Sequence, residues 1–184
     1  MNRVAFLLLI ILTGCASAPV ALQRVPHQTD APFSFNGRIL VKQGIQRESS
    51  GIHWKHGAED EILLLGPLGY TVGRIHRDTR GATLDDAYGK HYVAPDAEAL
   101  MQKALGLQLP LAGLRYWAAA LPAPESEFRI ERNSQGQVSL LQQQGWEIRY
   151  LRYTGTTPDA LPKQINMRRD DVDVLLQIDE WEAQ

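Results

Sequence analysis

The chain has 184 residues, 19 basic against 21 acidic, and a formal net charge of −2. A near-neutral, slightly acidic balance leaves no electrostatic footprint for nucleic acid and no polybasic run to serve as a membrane anchor. One cysteine, Cys15, rules out an internal disulfide, so burial must hold the fold, and the length suffices for one domain with a real core.

The chain opens with a positive Arg3, an apolar run from Val4 to Leu12, and then Leu12-Thr13-Gly14-Cys15. The run is far short of the roughly 20 residues that a spanning helix needs, and the small residues fall where a signal-peptide cleavage site belongs. Those last four residues resemble the bacterial lipoprotein lipobox. In that class the cysteine thiol receives a diacylglycerol, the preceding peptide is removed, and the new amino group is acylated. The resemblance implies a signal peptide over 1–14 and lipid on Cys15; the alternative is an ordinary secretory signal with a chance cysteine. Residues 15–32 carry Pro19, Pro26 and Pro32 without periodicity and read as a lipidated cysteine with a tether, reaching about 50 Å at full extension. Ala16, and not Asp, follows Cys15. Asp there holds Gram-negative lipoproteins in the inner membrane, so the resemblance implies the outer membrane.

Residues 33–184 are expected to form a single domain. Phe33, Phe35, Gly37, Ile39 and Val41 alternate with Ser34, Asn36, Arg38 and Lys42, the period-two mark of a half-buried strand. Ile52 and Trp54 begin a second strand. Glu61–Leu65, Tyr70–His76, Thr83-Leu84 and His91–Val93 follow. The pattern returns at Phe128–Ile130, Val138–Leu140, Trp146–Tyr150, Ile165–Met167 and Val172–Ile178, with turn residues such as Asn133-Ser134-Gln135-Gly136 between. Roughly eleven short strands at hairpin spacing predict an antiparallel sheet.

The interval from Pro95 to Leu121 breaks the alternation. Pro95-Asp96 suits a helix start, Ala97, Leu100, Met101, Ala104 and Leu105 share one face, and Gly106 suits a stop. A second helix is expected after Pro110, with Leu111, Leu114, Trp117, Ala118 and Leu121 on one stripe. Two helices with one apolar face each must lay those faces on the sheet. The expected fold is therefore mainly β, a curved antiparallel sheet with a helical cover.

Constellations for catalysis are weak. His53 and His56 have metal-like spacing, but an odd interval on a strand turns them to opposite faces. Asp85-Asp86 and Asp170-Asp171-Asp173 suit turns and solvated faces, Ser49-Ser50 has no partner at a defined spacing, and no nucleophile elbow or phosphate loop is present. No catalytic residue, metal or cofactor is assigned. The unusual feature is apolar: Leu63-Leu64-Leu65-Gly66-Pro67-Leu68-Gly69-Tyr70 sets a leucine at the tip of a turn, where a polar residue is usual. Either Leu68 folds back and packs, or it dips into lipid as part of a Pro67-Leu68-Gly69 insertion loop.

Four blocks together resemble the LolB family, outer-membrane receptors of bacterial lipoprotein sorting. They are the lipobox at Cys15, the Leu-rich Gly-Pro-Leu-Gly turn at 63–69, the segment Leu109-Pro110-Leu111…Leu114-Arg115-x-Trp117…Leu121-Pro122, and the closing Leu161-Pro162…Trp181. Ala120 departs from the pattern, where glycine is expected. The resemblance covers the whole domain. It implies an open half-barrel enclosing an apolar cavity, with Ile39, Val41, Ile52, Trp54, Leu64, Trp146, Ile148 and Val174 as walls and Leu100, Met101, Leu114 and Trp117 beneath the lid. It implies a monomer that is no enzyme, and as partners a soluble periplasmic carrier (LolA), acylated lipoprotein cargo and outer-membrane phospholipid. The competing expectation is a structural or scaffolding lipoprotein whose sheet is simply packed.

Overall fold

The computed structural model describes residues 31–124 and 126–182; Cys15 and the signal peptide expected over 1–14 lie outside them. Eleven antiparallel strands form one sheet in the order β6-β5-β4-β3-β2-β1-β11-β10-β9-β8-β7. The first meander runs β1 (Phe33–Gln43), β2 (Gln46–His56), β3 (Asp60–Leu65), β4 (Thr71–Asp78), β5 (Gly81–Asp86) and β6 (His91–Ala94). The second runs β7 (Phe128–Arg132), β8 (Val138–Gln143), β9 (Trp146–Tyr153), β10 (Pro162–Arg169) and β11 (Val172–Glu182). The two join where the first strand pairs with the last, Ile39 opposite Leu176 and Val41 opposite Val174. Edges β6 and β7 do not meet, so the sheet is open, as the sequence resemblance implies.

Between those edges the chain crosses the concave face through α1 (Ala97–Leu105) and α2 (Leu111–Trp117). Asp96 caps α1 by accepting the Ala99 N–H at 2.7 Å, so Pro95 stands before the cap and not in the first turn as expected. Gly106 ends the helix. Pro110 offers α2 no side-chain cap; Glu98 of α1 reaches across and accepts the Ala112 N–H at 2.6 Å, satisfying one of the donors a helix start leaves open. α2 stops at Trp117, short of the predicted stripe to Leu121. Ala120 turns into the left-handed region at φ 59°, and the Ala119, Ala120 and Leu121 N–H groups bond back to Tyr116 and Trp117 carbonyls.

The crossover is fixed to the second meander by a buried amide. Gln143 Oε1 accepts from Trp117 Nε1 at 2.9 Å and from the Ala123 N–H at 2.7 Å. Its Nε2 donates to the Ala123 carbonyl and to Ser126 Oγ, both at 2.7 Å. Tyr150 Oη donates to the Trp117 carbonyl at 2.8 Å. Each such bond contributes about 1 kcal/mol net, and losing the buried amide would strand several partners at once. Among the described residues no helix is long and apolar enough to cross a membrane.

Two predictions follow from local geometry. A non-glycine left-handed residue costs about 1 kcal/mol or more, so Ala120→Gly should raise the melting temperature by a few degrees. A lowered midpoint in thermal denaturation would contradict that reading. Burial raises the Tyr150 hydroxyl well above its ordinary range and pushes Tyr153 up to about 12. The unfolded phenols ionise near pH 10, so their stabilising effect is complete below about pH 10 and declines as pH rises towards 12. Tyr153→Phe should flatten the stability profile in that window, measured by urea denaturation at stepped pH.

Candidate functional site

The cover on the concave face is uneven. α1 packs over β5 and β6, while Trp117 of α2 meets Trp146 of β9 with ring centroids 6.2 Å apart. Between these flanks, over β1 to β3, an apolar cleft of about 390 Å³ stays open, within the size range of ligand sites. Ile39, Val41, Leu64 and Val72 line its sheet side and Met101, Leu105, Leu107 and Leu109 its helical side. Glu48, Ser49 and Ser50 of β2 also line it, as do Gly66, Pro67 and Tyr70 of the β3–β4 turn.

The β3–β4 turn divides its labour clearly. Gly69 N–H donates to the Gly66 carbonyl at 2.9 Å, and Gly66 N–H to the Tyr70 carbonyl at 2.8 Å. Gly69 holds φ 79°, a conformation glycine adopts without a Cβ penalty. A Cβ on Gly66 would come within 2.7 Å of the Tyr70 ring. Pro67 pre-sets the backbone at the first central position. Leu68 alone has no such task, and it stands 91% exposed. It does not fold back onto the core.

Of the residues named as cavity wall or lid, the cleft brings together Ile39, Val41, Leu64 and Met101. Ile52, Trp54, Leu100, Leu114, Trp117, Trp146, Ile148 and Val174 are buried in the packed core and do not line it. Alternation marks the face a residue points to, whereas access to the cleft depends on what lies above that face. Leu105, read only as part of the apolar face of the first helix, Leu109, read only within the Leu-Pro block, and Leu107 were not named as cavity residues, because they belong to the end of α1 and the link after it. A tight cluster of leucines flanking Gly106 was the available signal.

The opposite end of the first meander is polar. Asp60, 4% exposed, receives hydrogen bonds from His56, Arg77 and Trp54 Nε1, the last at 3.1 Å. Burial pushes its carboxyl upward, but those bonds and the Arg77 charge outweigh it and hold the group below the usual carboxylate range. His56 thus faces inward to Asp60, while His53 faces outward to Asn36 Oδ1 at 2.8 Å, so the two histidines share no ligand. Glu59, His76 and Asp78 lie close together, with Asp78 engaged by Arg80 at 2.6 Å. The cleft itself holds no such convergent set of polar groups. It can take up apolar chains.

The sequence model of the family described as "Outer membrane lipoprotein LolB" matches residues 31–181. An outer-membrane lipoprotein LolB of Azoarcus sp. is 36% identical, with 94% of this chain and 90% of that protein covered. The LolB of Nitrosomonas europaea is 33% identical over 96% and 90% of the two chains, and that of Chromobacterium violaceum 34% over 99% of each. Among solved structures, a LolA superfamily protein from Nitrosomonas europaea superposes with a TM-score of 0.49 at 10% identity, covering 88% of each chain. The family match spans nearly the whole described domain, and the chain belongs to the LolB family of outer-membrane lipoproteins.

Proposed function

We propose that this chain is a lipid-anchored receptor of lipoprotein sorting in the outer membrane. It accepts mature lipoproteins from the soluble periplasmic carrier LolA and releases them into the inner leaflet. Residues 1–14 are its signal peptide, Cys15 carries the lipid, 15–32 are the tether, and 33–184 form the monomeric receptor domain on the periplasmic face. The observation that carries this reading is an apolar cleft bordered by a turn whose one unassigned residue is an exposed leucine.

The physics is that of competing solvents. Burying acyl CH₂ groups is worth about 0.8 kcal/mol each, so a fully enclosing site would hold its cargo too firmly to release it. An open cleft buries only part of a chain. Affinity above the carrier's and below the bilayer's then moves cargo one way without nucleotide or metal. The tether's reach of about 50 Å exceeds the roughly 36 Å length of an eleven-residue strand. The anchored chain can therefore bring either end of the sheet to the membrane. A scaffold would have filled the space over Ile39 and Leu64; the cleft favours a receptor.

The cleft is expected to bind a fatty-acyl fluorescent probe in the micromolar range. Leu105→Glu, at its half-exposed edge, should weaken binding about tenfold, or about 1.4 kcal/mol, with cooperative unfolding retained. Unchanged probe affinity in a titration would remove the cleft from the function. Leu68→Glu changes an exposed residue and should cost about 0.5 kcal/mol or less in stability. It also places a charge where hydrocarbon contact is required, a penalty of up to about 3 kcal/mol. The variant should therefore take lipoprotein from the carrier normally and deliver it poorly to membranes. Equal loss of both steps together with a lowered melting temperature would sink the insertion-loop assignment.

A further inference from the structure

Leu68 is not the only large apolar side chain left bare on this end of the sheet. In a meander, alternate hairpin tips fall on the same side. The β1–β2 tip carries Ile45, fully exposed, and the β5–β6 tip carries Tyr88, 93% exposed. Both lie at the end where Leu68 projects: Gly51 of β2 faces Leu65 of β3, leaving Gln46 and Ile45 beyond it, and Asp86 of β5 faces Gly73 of β4 beside the same turn. The other turns on this end, Gln144-Gly145 and Asp170-Asp171, belong to the second meander and are polar. Among the described residues, bare apolar hairpin tips at this end are confined to one half of the rim.

The register also sets their heights. From Ile45 to Leu68 to Tyr88 the tips step back by about six residues along the strand direction, about 20 Å at 3.3 Å per residue. They cross four strand spacings, about 19 Å at 4.8 Å each. A stagger of that ratio is cancelled by a strand tilt of about 45°, the upper part of the range that barrel strands adopt, which brings the three tips towards one plane. The cleft opens between two of these tips, since Glu48, Ser49 and Ser50 of the β1–β2 hairpin and Gly66, Pro67 and Tyr70 of the next turn line it together.

We infer that Ile45, Leu68 and Tyr88 act together as a three-point rim that seats the mouth of the cleft on a phospholipid bilayer. This rests on the reading of Leu68 as a lipid-contacting residue and extends it to two further hairpins. Ile45 and Leu68 supply side chains that enter hydrocarbon, and Tyr88 supplies an amphipathic ring suited to the headgroup level. Charge behind the tips fits the same occupant. Lys42 and Arg47 face each other across the β1–β2 hairpin behind Ile45, an unfavourable pairing within a sheet. Lys90 follows the β5–β6 tip. Among the described residues none of these three cations has an acidic partner within ion-pair distance, and Asp173 next to Lys42 is taken up by Arg168 and Asn166. Phosphate groups would supply the missing anions. With three tips seated, an acyl chain leaves the cleft into lipid without crossing water.

The test attaches an environment-sensitive fluorophore to single introduced cysteines, Ile45→Cys, Leu68→Cys and Tyr88→Cys, in the full lipid-anchored chain, whose Cys15 thiol the lipid consumes. Gln135→Cys, on the turn at the far end, is the control, and the parent chain labelled alike reports any free Cys15. In phosphatidylethanolamine–phosphatidylglycerol vesicles, the expected result is a blue shift at 45, 68 and 88. Loss of emission to brominated acyl chains should occur at the same three positions, and position 135 should remain silent. Response at 68 with none at 45 and 88 would overturn the rim and leave the single loop standing. Silence at all three would overturn the insertion loop as well. A response at 45 and 88 that needs the soluble carrier and not the vesicles would assign those tips to a protein partner and end the lipid proposal.

Discussion

The pairing of the first strand with the last is the constraint on which this molecule depends. β1 and β11 are each eleven residues long, and their ladder alone joins two meanders that would otherwise be separate sheets. Phe33, Phe35, Trp54 and Trp181 lock one end of the seam, with ring centroids 5.3 to 6.0 Å apart. Such aromatic contacts add to the area they bury. Because the joint lies at the centre of the sheet, the free edges fall at the two extremes, and the segment between β6 and β7 has to travel over the concave face. The helical cover is thus a consequence of which strands pair.

Where that segment is fastened decides where the site lies. Its first part is held on the β5–β6 flank and its last part on β8 and β9, through Gln143 and Tyr150. The central strands lie under the span between, where cover is thinnest, and there the apolar cleft persists. Leaving apolar walls unfilled forgoes burial that would add stability, the usual cost of keeping a binding surface available. The polar end of the first meander, closed by Asp60, His56 and Arg77, and the well-filled β8–β9 flank supply the rigid frame around it.

The two ends of the first meander differ in the chemistry of their turns. One closes over a buried ion cluster, and the other presents Gly-Pro-Leu-Gly and two further apolar tips. This polarity runs along the strands and owes nothing to the core, which is continuous from one flank to the other. A sheet can therefore carry an exposed apolar edge without altering its packed interior, because hairpin tips lie outside the ladder and their side chains are free of its register.

Sequence alone determined the strand count and the helical interruption, because side-chain period is a local property that burial on one face imposes on every strand. It also marked the Gly66-Pro67-Leu68-Gly69 turn, since proline and glycine act through their own backbone. The resemblance of Leu12-Thr13-Gly14-Cys15 to a lipobox is likewise a local pattern, and it lies outside the described residues. Other features were decided only in three dimensions. Ile39 and Ile52 alternate alike, yet one lines the cleft and the other is core, because the difference is made by a helix some sixty residues away in the chain. The polar half of β2, Gln46–Ser50, carries no strand signal of its own and is held extended by Ile39 to Gln43 across the hairpin. Gln143 lies beyond the strand expected at Val138–Leu140, yet it ends β8 as the buried clasp of the crossover. In each case the deciding partner is distant in sequence, and no local pattern contains it.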